Sequence, residues 1–222
     1  MTRSRTTRRR AAAGRPTRER ARQRHDELLD SALDLFLDLG FEQATIEAIA
    51  ASVGMTKRTV YARYADKVAL FKATVQRAIE RLIVPAATLQ AFDTGDFEDA
   101  LAAVARLRVA QVMTPAGLKL QRIINSESYR FPEIFTMAYE QSTRPVIEFL
   151  ASLLRRQIAA GNLALTDPER AAHVFMSMVV SGPVRIIVSG NRLTRTEIED
   201  RLQFAIHLFL DGARARDERH RK

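Results

Sequence analysis

Six consecutive residues, Thr56-Lys57-Arg58-Thr59-Val60-Tyr61, put two hydroxyls, two cations and a phenol on one short segment. These are donors suited to a polyanion. Lys57 and Arg58 can donate to guanine O6 and N7, while Thr56 and Thr59 can bond phosphate or offer a methyl to thymine. Tyr61, one turn on, can reach a phosphate with its hydroxyl. Lys67 falls in the first turn of a further helix, where unpaired backbone N–H groups also attract phosphate. Other chemistries find no footing. Cysteine is absent, and His25, His173, His207 and His220 form no metal-ligand spacing. There is no Gly-rich phosphate loop, nucleophile elbow or H-E-x-x-H sequence. Catalytic residues, a metal and a cofactor are therefore not expected, and the chain does not read as an enzyme.

The neighbouring residues supply the elements that would hold this segment. The Thr45 hydroxyl can cap a helix whose Ile46, Ile49, Ala50 and Val53 share one apolar face. Gly54 then breaks the pattern where a tight turn needs positive φ. Thr56 is the next N-cap, and a short helix runs to about Tyr61. With Val60 and Tyr64 turned inward beside Met55, residues 56–59 stand at an exposed helix N-terminus. Two short helices joined through such a turn make a helix-turn-helix, whose second helix enters the major groove by its N-terminal end. A longer helix over Arg18–Leu39, with Leu28, Leu29, Ala32, Leu33, Phe36 and Leu39 on one stripe and Gly40 as its left-handed cap, comes before the pair. A fourth helix, capped by Asp66, follows it with Val68, Phe71, Val75, Ala78 and Leu82 inward.

Charge is distributed to match. The formal net charge is +9. Through Arg77 there are 16 Lys and Arg against 9 Asp and Glu, a net of +7, which leaves +2 for the remainder. Residues 1–17 read as a disordered basic arm. Arg8, Arg9, Arg10 and Arg15 could enter a minor groove or simply add diffuse attraction to phosphate; nothing pins their geometry, which favours the diffuse role.

The run "TIEAIAASVGMTKRTVYARYADKVALF", with the helix before it, resembles the DNA-binding signature of the TetR family of transcriptional repressors. The resemblance covers Arg18 to Arg77 and rests on Thr45, Ile49-Ala50, Gly54, Thr56, Lys57, Tyr61, the aromatic Tyr64, Lys67 and Leu70-Phe71. Arg58 departs from it, standing where a small or aromatic residue is frequent; Ala65 and Tyr64 depart more mildly. The residues assigned to DNA contact are Thr45, Thr56, Lys57, Arg58, Thr59, Tyr61 and Lys67. The stretch from Ile123 to Phe175 is similar to the AefR-like C-terminal type of that family. The resemblance implies an all-α chain. An N-terminal three-helix head (18–83 with its linker helix) would join a ligand-sensing and dimerising domain (84–212), ahead of a basic tail (213–222).

Helical patterning continues through the second half. Helical spacing predicts helices near Phe97–Val112, Pro115–Ser128, Pro132–Gln141, Arg144–Ala160, Pro168–Val180 and Thr196–Leu210, with Pro145 either starting a helix or kinking a longer one. No strand pattern is seen. A small-molecule pocket is expected among Met113, Gln121, Asn125, Tyr129, Met137, Tyr139, His173 and Met176, mainly apolar with sparse polar anchors. The alternative for each is ordinary: Met as core filler, Asn125 as a helix-end cap, His173 as a satisfied core histidine. Val179, Ile198, Leu202, Ile206 and Phe209 are expected at a homodimer interface, or else in the protomer's own core. The functional expectation is a repressor that binds a palindromic operator on double-stranded DNA as a homodimer and is released by an apolar or amphipathic ligand. A constitutive or activating DNA-binding protein without an inducer is the alternative. The most apolar stretch, Val174–Val188, contains Gly182, Pro183 and Arg185 and is too short for a membrane span. With no leader pattern and no cysteine, a cytoplasmic location without membrane partners is expected.

Overall fold

The computed structural model describes residues 18–191 and 193–214. The expected arginine arm, and the basic tail beyond Arg214, lie outside them. Among the described residues the regular structure is helical, apart from one antiparallel bridge between Leu163 and Arg214.

The head is built from α1 (Arg18–Gln43), α2 (Ile46–Ser52), α3 (Lys57–Tyr61) and α4 (Lys67–Glu80). α1 does not stop where expected. Gly40 adopts φ 76°, ψ 164°, a geometry favouring glycine, and the helix kinks there but continues for one more turn. That extra turn places Phe41 inside the head. Phe41 lies 5.3 Å, ring centre to ring centre, from Phe71 and 4.8 Å from Phe131, and Phe36 lies 5.1 Å from Phe71. Leu28, Ala32 and Phe36 of α1 and Leu70, Phe71, Val75 and Ile79 of α4 are all buried, which locks α1 to α4. Ion pairs extend the same contact: Arg77 meets Asp26 at 2.7 Å, and Arg81 meets Asp30 at 2.7 Å.

The body holds α5 (Ala86–Gln90), α6 (Phe97–Val112), α7 (Pro115–Glu127), α8 (Pro132–Ala138), α9 (Arg144–Ala159), α10 (Pro168–Met176), α11 (Gly182–Val188) and α12 (Arg195–Ala213). Asp96, Thr114, Asp167 and Thr194 each accept from the backbone N–H three residues ahead, so α6, α7, α10 and α12 start on capping side chains. One apolar core collects Leu101, Val104, Ile147, Leu150, Phe175 and Leu210 from these helices. The head's core does not end at the expected boundary near residue 83. Leu120, Ile123, Phe131 and Ile134 from α7 and the start of α8 pack within it, so α4 is sandwiched between α1 and the body.

Two π-helical turns, Tyr139–Thr143 and Ser177–Ser181, join α8 to α9 and α10 to α11. Each ends two residues before a proline, Pro145 or Pro183. A proline within a helix cannot donate to the carbonyl four residues back and clashes with it; a locally wider helix relieves both problems. The two helices expected to end or kink here are therefore irregular continuous runs, and α11 is an extra element. Among the described residues no helix is long and apolar enough to cross a membrane.

Candidate nucleic-acid interface and ligand cavity

At the head, capping sets the geometry of the exposed cations. The Thr45 hydroxyl accepts from the Ala48 N–H at 3.1 Å and starts α2. Gly54, at φ 61°, turns the chain into Met55, whose N–H donates to the Ala50 carbonyl at 2.8 Å. Arg24 of α1 donates to the Val53 and Gly54 carbonyls at 3.3 and 3.2 Å, which pins the turn against the first helix. The Thr56 hydroxyl accepts from the Thr59 N–H at 3.2 Å and lies 2.9 Å from the Thr59 hydroxyl. Val60 is fully buried beneath α3, and Thr56, Lys57, Arg58, Thr59 and Tyr61 are exposed together.

The two cations at the start of α3 differ. Lys57 pairs with Glu47 of α2 and lies 5.5 Å from the Tyr61 ring centre. The hydrogen bond from Lys57 holds the Glu47 carboxyl below its usual range, and the same bond raises the Lys57 ammonium. Arg58 makes no ion pair or side-chain hydrogen bond with any described residue, so its guanidinium is free to meet a new acceptor. Lys67 stands apart from this cluster. Its ammonium donates to the Phe41 and Glu42 carbonyls at 2.8 and 2.9 Å and lies 4.6 Å from the Phe41 ring centre. Its side chain, expected as a phosphate contact, here caps the last turn of α1. The cause is the helical turn beyond Gly40, which brings those two carbonyls within reach.

Tyr64, read as an inward aromatic, stacks on His25 of α1 with its hydroxyl 2.5 Å from His25 Nε2. Burial and the nearby Arg63 lower the His25 pKa, and burial raises that of Tyr64.

In the body, a cavity of about 590 Å³ opens between α6, α7, α9, α10 and both π turns. Of the residues named for a pocket, Gln121, Tyr139, His173 and Met176 line it. The Tyr139 hydroxyl lies 3.1 Å from His173 Nε2, and the two rings stack with centres 5.8 Å apart. The other four expected pocket residues lie elsewhere. Asn125 accepts from Gln121 at 3.1 Å and lines a neighbouring groove. Met113 packs against the body core and Met137 against the head core. Tyr129 is fully exposed in the turn after α7. Met137 and Tyr129 were expected there by residue type, as apolar lining and polar anchor, and type does not fix which face of the chain they occupy.

Arg108 also lines this cavity, and it was missed. A signal existed: Ala100, Val104, Arg108 and Val112 recur every four residues along α6, and all four are buried. A cation in an otherwise apolar stripe is a buried charge.

The residues expected at the interface, or else in the protomer's own core, take the second of those places. Val179, Leu202, Ile206 and Phe209 are buried in their own protomer's core, and Ile198 packs against it. Their stripe is the side of α12 that covers α6 and α10. Outside the core, Phe204, Leu208 and Val174 are 70%, 54% and 49% exposed on α12 and α10.

A helix-turn-helix head presenting cations at the N-terminus of its second helix, fused to a helical body, defines a DNA-binding regulator. Comparison with known proteins makes the family specific. Residues 28–74 match the description "Bacterial regulatory proteins, tetR family", and residues 99–212 match "AefR-like transcriptional repressor, C-terminal domain". The chain belongs to the TetR family of transcriptional regulators, a family of DNA-binding proteins rather than enzymes. It is 23% identical to the HTH-type transcriptional repressor Rv1474c of Mycobacterium tuberculosis, over 75% of this chain and 83% of that protein. Among solved structures it is similar to the Flavonoid-responsive Regulator FrrA, with TM-score 0.66 and 31% identity over 88% of this chain and 99% of that one. A TetR-family regulator from Mesorhizobium loti shares the fold, with TM-score 0.69 and 23% identity over 90% of this chain and all of that one.

Proposed function

We propose that this regulator is a repressor that binds a palindromic operator as a homodimer and leaves it when a small amphipathic molecule fills the body cavity. The observation that carries the reading is the position of the cavity relative to α4. Arg108 and Ser142, at the cavity and its π turn, both donate to the Leu82 carbonyl, at 3.4 and 3.2 Å. Leu82 follows directly on the end of α4, which packs on α1 of the head. A ligand that shifts Arg108 or the π turn therefore biases the end of the helix that carries the head. It can act only to the extent that it favours one arrangement over the other. The relative named as flavonoid-responsive, similar along nearly its full length, supports response to a small molecule.

The test has two stages. A thermal-shift screen of small amphipathic molecules finds those that bind. Fluorescence anisotropy of a duplex from the protein's own upstream region then measures operator affinity with each bound. Compounds that raise the melting temperature are expected to weaken operator binding. Compounds that raise it while leaving operator affinity unchanged would count against release.

A further inference from the structure

We propose that the cavity is built for an amphipathic carboxylate, with Arg108 as the counter-ion that receives it. This rests on the cavity being the effector site, and it specifies the chemical class of the effector.

Arg108 is 6% exposed. All three of its hydrogen bonds leave from Nη1, to the Leu82 carbonyl, to Gln111 Oε1 at 3.0 Å and to Ser142 Oγ at 3.3 Å. Each acceptor is neutral. Nε is buried without any hydrogen-bond partner, and Nη2 makes no hydrogen bond with a described residue. Nε and Nη2 together form the side-on edge of the guanidinium, which grips a carboxylate with two parallel hydrogen bonds. The unused donors share one edge, of which Nη2 keeps open surface while Nε is covered, so a carboxylate would meet Nη2 first and engage Nε as the side chain turns toward it.

The surroundings offer no internal partner for that edge. No described carboxylate forms an ion pair with Arg108, and no Asp or Glu lines the cavity. Burial accordingly lowers the Arg108 pKa, with no neighbouring charge to oppose it. A buried charge of this kind is unfavourable unless paired, and an incoming carboxylate would relieve it. Away from Arg108 the cavity is mostly apolar, with Ile124, Ile147, Met176 and Val180 along its walls and the Tyr139–His173 pair as a further polar anchor. One anionic end and an apolar body is the ligand this lining fits. Its volume, about 590 Å³, suits a molecule of drug-like size.

The experiment uses the full chain and two matched probe pairs, decanoate against decanamide and 1-naphthylacetate against 1-naphthylacetamide, by isothermal titration calorimetry at neutral pH. Each pair keeps the apolar body and removes the charge. At least one acid is expected to bind about tenfold or more tighter than its amide, the order set by one charge-assisted contact. In Arg108→Met that preference is expected to vanish while amide binding persists. The unliganded variant should melt no lower than wild type, because Ser142 still serves the Leu82 carbonyl and a buried unpaired charge has gone. A lower melting point with acid and amide weakened alike would make Arg108 a structural pillar and overturn the proposal. So would acids and amides binding wild type equally, or amides binding where acids do not; in either case the cavity remains a ligand site. If no probe binds at all, the effector-site reading falls together with the carboxylate.

Discussion

At the scale of single residues, three cations expected at DNA differ in how far they are committed within the head. Lys57 is tied to Glu47 and Lys67 to two backbone carbonyls, whereas Arg58 has no side-chain partner among the described residues. The unpartnered guanidinium stands beside the N-terminus of α3, where base edges would meet it. Arg58→Ala is expected to relax base preference at one position of each half-site by about 1–3 kcal/mol, measured by anisotropy over single-base operator variants. Weakening that is uniform across all variants would assign Arg58 to phosphate instead. Lys67→Met tests the opposite case. Removing its ammonium leaves the two carbonyls of the last α1 turn to water, which should lower folding stability by about 1 kcal/mol in urea melts. If its side chain only caps α1, the slope of log affinity against log salt should stay at the wild-type value; a slope reduced by about one would return Lys67 to the phosphate contacts.

Between elements, α6 and α12 are joined by a bidentate pair in which Arg106 donates to Glu199 through Nε at 3.0 and 3.1 Å and through Nη2 at 2.6 Å. Those bonds, helped by Gln203, hold the Glu199 carboxyl at about 2, against an ordinary value of 4.5. A depressed carboxyl pKa contributes stability that is fully present above the ordinary value and is lost as pH falls from about 4.5 toward 2. Glu199→Gln should therefore melt slightly below wild type at pH 7, with the gap closing in scans taken toward pH 2. A gap independent of pH would show that the ion pair is not its source. These elements were largely legible in the sequence, because local chemistry decides them. Thr45, Thr56, Asp66 and Asp167 cap helices through their own side chains, and the head's apolar stripes follow helical spacing. What was not legible depends on contacts distant in the chain. Gly40 signalled a left-handed residue but not the further helical turn that Phe41 secures by packing on Phe71 and Phe131. Pro145 and Pro183 signalled irregularity but not π turns that line a common cavity. Arg106 and Arg108 look alike two residues apart, and only the four-residue recurrence of buried positions on α6 separates the surface cation from the buried one.

For the whole molecule, the proposed homodimer needs a surface that brings two heads to one operator. The apolar residues of α12 divide into two sets. Leu202, Ile206 and Phe209 are used up inside the protomer, so they cannot also form a partner's contact surface. Phe204 and Leu208, one turn apart, stand exposed on another side, with Val174 of α10 nearby. Exposed large apolar side chains grouped on two helices are what a helix-pair interface needs, and a second copy related by a two-fold axis would present the same set. A dimer formed through this face can set two α3 helices against successive major-groove half-sites, whereas a monomer meets only one. Phe204→Asp should therefore convert a dimer into a monomer in sedimentation at micromolar concentration. The monomer's helical content should hold, since the exposed side chain contributes little to its own core. Operator affinity should fall by at least about tenfold, because the second half-site no longer binds as part of the same particle. Leu208→Asp is expected to act the same way. Phe209→Ala should differ in kind: it empties a buried site and lowers folding stability by about 3–5 kcal/mol, with loss of the dimer following only from loss of the fold. If Phe204→Asp leaves the sedimentation coefficient unchanged, the interface lies on another face, and the exposed patch needs a different occupant.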